Sequence, residues 1–121
     1  DELFPACDVV GTTIICGGPF NSGILVGREM WNYNKAPKAV VDKVKALGAV
    51  ADKFNIPIPA AALQFPLANN TVTSVIPGPR SKEELEEILR WQSFKIPNEF
   101  WDSLKSQALV HENAPTPNSA L

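Results

Sequence analysis

The sequence predicts an α/β fold built on a parallel sheet, and three features predict it. Two short β-rich runs, TTIIC (residues 12–16) and TVTSVI (residues 71–76), are brief enough for strands and rich in branched side chains. Each run stops at a Gly/Pro cluster, Gly17-Gly18-Pro19 after the first and Pro77-Gly78-Pro79 after the second. Helical patterns precede, separate and follow them, and the order helix, strand, helix, helix, strand, helix is that of β/α units. Two parallel strands cannot bury their own faces, so the sheet is expected to be incomplete.

Bulk properties narrow the class. The chain has 121 residues, 45% of them apolar and 20% charged, which is the composition of one globular domain. Eleven Lys plus Arg against 13 Asp plus Glu leave a net charge of −2, without the basic surplus a nucleic-acid binder carries. No run approaches the ~18 apolar residues of a membrane span, and the first residues lack the charged and apolar regions expected of a signal peptide, so no membrane is expected and the cytoplasm is the expected compartment. Cys7 and Cys16 lack metal-like spacing and are expected to be reduced thiols that pack; no metal site is expected. DELFPAC, at the start, reads as the end of a helix and predicts that the chain is part of something longer.

The elements follow in order. TTIIC, with no polar alternation, suits a parallel strand covered on both faces. A loop rich in Gly, Asn and aromatics runs to about Ala36. In KAVVDKVKALGAVADKF, Val40, Val44, Leu47, Ala51 and Phe54 fall on one helical face, with Lys43, Lys45 and Lys53 on the solvent side. PAAALQFPLAN (residues 59–69) is a second helix that Pro66 must bend or end. After the second strand, helices are predicted from Ser81 to about Trp91 and from Asn98 to about Ala108, with an irregular tail over residues 109–121.

The second break is shaped for an anion. Ser81 and Glu84 have capping-box spacing, so the helix after the strand should start at Ser81 and point its free N–H groups beyond the strand end. Gly78 allows close backbone approach, Pro77 and Pro79 stiffen the turn, and Arg80 adds a fixed positive charge. An ordinary βα loop with a well-capped helix would carry the same pattern. The first break, GGPFNSGIL (residues 17–25), lies at the same edge of the sheet, where ligands of parallel α/β proteins bind.

Together GGPFNSGIL, ALQFPLA (residues 62–68) and SVIPGPRSKEELEE (residues 74–87), in this order and spacing, resemble the C-terminal part of an aldo-keto reductase of the sugar-dehydrogenase branch. The resemblance implies a (β/α)8 barrel with its strands 7 and 8 in this chain, an NAD(P)-dependent oxidoreductase acting on a small sugar or related alcohol or aldehyde, and an N-terminal half of the barrel outside this chain. It implies that Gly18, Phe20, Asn21 and Ser22 lie along the pyrophosphate and nicotinamide side of the cofactor. By the same resemblance Gly78, Pro79, Arg80, Ser81, Glu84 and Glu87 hold the adenosine half. Trp31 and Tyr33 are read as part of the loop over the substrate mouth, with simple surface packing as the alternative.

The sequence departs from the family pattern in telling places. Gly17 stands where many relatives stack an aromatic on the nicotinamide, which leaves Phe20 to do so. The usual Glu-Asn pair at the adenine is Glu87-Ile88. Gly78 and Glu84 replace the Lys and Arg common in NADP-dependent relatives; a carboxylate repels a 2′-phosphate and can accept from a ribose hydroxyl, which favours NAD, with Arg80 keeping NADP admissible. The family's Asp, Tyr, Lys and His tetrad has no matching motif here, so no catalytic residue is assigned; the single Tyr, Tyr33, and the single His, His111, lie in other contexts. The alternative is a non-catalytic nucleotide-binding or regulatory module derived from the same barrel.

Overall fold

The computed structural model describes residues 2–117. Its element order follows from where the apolar periodicity starts and where Pro or Gly interrupts it. Helix α1 (Leu3–Val9) leads into strand β1 (Ile14–Gly17), followed by a 3-10 segment over Asn21–Val26. A two-residue-per-strand hairpin, β2 (Met30–Trp31) with β3 (Asn34–Lys35), then precedes the long helix α2 (Lys38–Lys53). Helix α3 (Ile58–Gln64) tightens at Pro66 into a 3-10 turn over Phe65–Ala68, as a missing N–H inside a helix requires. Strand β4 (Val72–Ile76) and helices α4 (Lys82–Gln92) and α5 (Asn98–Ser106) complete the described chain.

Strands β1 and β4 pair in parallel, with Ile15 opposite Ser74, Cys16 opposite Val75 and Gly17 opposite Ile76, after a register irregularity between Ile14 and Ile15. The connection between them carries α2 and α3, the crossover a parallel pair needs. Cys7 and Cys16 are free thiols. None of the described helices is long and apolar enough to cross a membrane.

The core is made by helices. Val50 and Ala51 from α2, Ala60 and Ala61 from α3, and Phe100, Trp101 and Leu104 from α5 are buried together with Ile56 and Ile96. Aromatic rings lock this cluster: Phe100 meets Phe54 edge-on at 5.9 Å and Trp101 at 5.0 Å, and Phe65 stacks on Trp101 at 5.9 Å. Such geometries add about 0.5–1.5 kcal/mol each beyond area burial. Leu109 and Val110, just past α5, pack against the same cluster, and residues 118–121 of the expected tail lie outside the described residues.

The expectation of a strand covered on both faces is not met among the described residues. Side chains of β1 alternate between half-buried and exposed, and Ile15 and Ile76, which share a sheet face, are 63% and 56% exposed. The opposite face is only partly covered, with the 3-10 turn over Phe65–Ala68 packed against β4, and a pair of strands has nothing of its own to cover the other. The buried positions of α2 lie only near its C-terminal end, at Val50 and Ala51, where it meets α3 and α5.

Gln64 ties the helices that flank the sheet. Its side-chain amide donates to Trp91 O and Phe94 O, each at 2.8 Å, and so caps the C-terminal end of α4 from α3.

Exposed Ile15 and Ile76 beside unpaired strand edges make the 121-residue chain on its own sticky. It is expected to bind a hydrophobic dye and to self-associate at micromolar concentration. A sharp two-state thermal transition in a dilute monomer would contradict this.

Candidate functional site

Both glycine-rich breaks open from one edge of the sheet. The parallel ladder continues one step beyond β1, since Gly18 N–H donates to Ile76 O at 3.1 Å and holds the first loop against the turn at residues 77–79. Between the loops lies a groove of about 1300 Å³, larger than an enclosed ligand pocket because it is open to one side. Gly18, Phe20, Asn21, Ser22 and Tyr33 line it from the first loop. Gly78, Pro79, Arg80, Glu84 and Glu87 line it from the second. Trp31 and Ser81 do not line it: Trp31 is half-buried in β2, paired with Asn34, and Ser81 sits behind as a cap.

Gly18 and Gly78 have φ of 61° and 67°, the left-handed region, and a Cβ at either would meet no atom within 4 Å. Their backbones therefore face free space into which a ligand can come close.

Asn21 and Ser22 use their side chains locally. Asn21 Oδ1 accepts from Asn32 N–H at 3.0 Å and Ser22 Oγ accepts from Tyr33 N–H at 2.8 Å. All four residues have positive φ, between 44° and 65°. Outside glycine that conformation costs on the order of 1 kcal/mol or more per residue, and here two strained dipeptides hold each other. The result is a hairpin tip fixed at the groove, with Tyr33 91% exposed on it.

The start of α4 supplies the charge. Ser81 Oγ accepts from Glu84 N–H at 3.2 Å, the first half of a capping box. The reciprocal half is displaced by one residue: Glu84 Oε2 accepts from Arg80 N–H at 2.8 Å instead of from Ser81. Glu84 Oε1 takes the Arg80 guanidinium at 3.1 Å and stands 3.7 Å from that of Arg28. The Arg80 backbone N–H, then its guanidinium and the charge of Arg28, hold the Glu84 carboxyl below the ordinary glutamate range, so it is ionised near neutral pH.

Trp91 and Arg28 also line the groove, without a role in the sequence reading. Trp91 meets Phe20 edge-on at 5.7 Å and floors the groove between the loops. Its position, one helical turn beyond Glu87 and two beyond Glu84, made it findable. Arg28, a lone cation in a glycine-rich loop, gave no such signal.

A sequence model of the Aldo/keto reductase family matches residues 1–108. The chain belongs to the aldo/keto reductase family. It is similar to pyridoxal 4-dehydrogenase of Microbacterium luteolum, 34% identical over 113 residues that make up 90% of this chain and 33% of that protein. It is also similar to D-threo-aldose 1-dehydrogenase of a Pseudomonas species, 31% identical over 121 residues, 96% of this chain and 36% of that protein. The chain thus spans about a third of the length of these relatives. Aldo/keto reductases are (β/α)8 barrels, and an α/β chain with one parallel strand pair is consistent with part of one.

Removing one of the two side-chain anchors should loosen the hairpin without unfolding the sheet. In the full-length protein, Ser22→Ala should raise hydrogen exchange at the Tyr33 amide by about five- to tenfold, the worth of one hydrogen bond of ~1 kcal/mol. An unchanged rate would mean that the turn holds itself.

Proposed function

We propose that this chain is the nucleotide-holding part of an NAD(P)-dependent oxidoreductase that moves hydride between a sugar, or related alcohol or aldehyde, and a nicotinamide cofactor. The observation that carries the reading is the meeting of two glycine-rich loops on one groove at the C-terminal edge of a parallel strand pair. In barrel terms β1 and β4 are strands 7 and 8, and the remaining strands come from the N-terminal half of the parent. The free space beside Gly18 and Gly78, the cation of Arg80 and the first turn of α4 fit a dinucleotide. Family membership and the two dehydrogenase relatives support an oxidoreductase parent. A cytoplasmic location goes with such chemistry.

The adenosine half lies against residues 78–87, with Ser81 acting through the helix it caps, and the nicotinamide side runs along Gly18 and Phe20. Asn21 and Ser22 keep acceptor capacity beyond their hairpin bonds and present it to the pyrophosphate side. Trp31 and Tyr33 belong to the hairpin at the substrate mouth. When bound, the cofactor supplies the hydride; this chain binds and orients it. The proton is moved elsewhere in the parent, because no motif of the family's Asp, Tyr, Lys and His tetrad appears in this chain. The isolated chain is accordingly inactive, a property it would share with a purely regulatory nucleotide-binding module.

Glu84 accepts from the ribose 2′-hydroxyl, which makes NAD the proposed cofactor, while Arg80 beside it keeps NADP admissible. Reversing that charge at ~4 Å changes the interaction with a 2′-phosphate by about 2 kcal/mol or more even at the dielectric of water. In the full-length enzyme, Glu84→Arg should therefore raise the kcat/KM ratio of NADP to NAD by at least about tenfold. If the ratio does not move, α4 does not face the ribose and the assignment of the adenosine half fails.

A further inference from the structure

The groove contains one cation that the cofactor reading leaves unused. Arg28 follows the left-handed Gly27, and its backbone N–H donates to Gly23 O at 2.9 Å. Its stem crosses Gly23, where φ is 97° and a Cβ would stand 2.5 Å from Arg28 Cδ. Only glycine leaves room for that path. The path carries the guanidinium out of the first loop and across the groove to α4, where Nη2 comes within 3.7 Å of Glu84 Oε1.

Arg80 Nη2 meets the same oxygen at 3.1 Å. Two guanidinium groups from two different loops thus converge on one carboxylate oxygen, and the cluster carries one net positive charge. Stability is a poor reason for this arrangement: the Arg28 and Glu84 side chains are 51% and 38% exposed, and exposed pairs contribute little. A third charge brought to a pair already satisfied through Arg80 contributes less still. What the cluster offers is a place where a carboxylate now separates two cations and a phosphate could engage both, each through a planar fork of donors.

We infer that Arg28 is a specificity-determining residue for the substituent at the 2′ position of the adenosine ribose, opposing Glu84 so that a 2′-phosphate is accepted. The inference rests on the proposal that the adenosine half lies against the start of α4. Glu84 serves a hydroxyl; Arg28, with Arg80, serves a phosphate. The cofactor preference is then the balance of three side chains from two loops rather than the property of one.

The test uses the full-length protein and two probes that differ only at the 2′ position, 5′-AMP and adenosine 2′,5′-bisphosphate, with dissociation constants measured by calorimetry. Arg28→Ala should weaken the bisphosphate by about tenfold and change 5′-AMP by less than about twofold, as loss of one cation near a phosphate predicts. Arg28→Lys should recover part of the loss, and Glu84→Gln should tighten the bisphosphate. The 5′-AMP titration doubles as a check that each variant is folded. Equal losses for both probes, or none for either, would overturn the role of Arg28 while leaving the cofactor reading intact. Failure of both probes to bind the unmodified protein would overturn both.

Discussion

Parallel pairing of β1 with β4 is the constraint on which the rest depends. It sends both strand ends, and so both glycine-rich loops, to the same edge of the sheet. Had the two strands paired antiparallel, Gly18 and Gly78 would lie at opposite ends. The hydrogen bond from Gly18 N–H to Ile76 O carries the pairing beyond the last residue of β1 and fixes the spacing of the loops at the point where they diverge. A parallel pair also requires a long crossover, and here the crossover supplies the core: α2 and α3 bury their apolar residues against α5, which leaves one sheet face and the groove unfilled.

On that frame, each wall of the groove is held by side chains that satisfy backbone N–H groups. Asn21 and Ser22 hold the hairpin tip, and Ser81 and Glu84 hold the start of α4. At the far end of α4, Gln64 caps the last carbonyls, so the helix is fastened at both termini. Groups committed in this way cost little to keep in place when a ligand arrives, which is the sense in which the site is preorganised. Glu84 has two roles in this scheme, since the carboxylate that completes the cap also sets the charge facing the groove.

Much of this was legible from residues alone. The apolar spacing of α2 and the serine cap of α4 carry strong local signals, and Pro66 marks the change from α3 to a 3-10 turn. The hairpin at residues 30–35 was not legible, because its strands are two residues long and its turn, Asn32-Tyr33, lacks the glycine that announces a tight turn. The capping-box spacing located the helix start but could not say that Glu84 would reach Arg80 rather than Ser81, a choice made by the Arg80 side chain and by Arg28 from another loop. Long-range partners of this kind leave no periodic trace. That two strands would leave a face uncovered was legible, but that it would be the one carrying Ile15 and Ile76 was not, because branched residues read as buried wherever they occur.

The central claim is that the two loops together hold the cofactor's nucleotide. A crystal structure of the full-length protein with NAD bound tests it directly. The account predicts adenosine density against Arg80, Glu84 and Glu87, with the diphosphate passing Gly18 and Gly78. Density for the dinucleotide that avoids one of these loops, or lies at another edge of the fold, would contradict it.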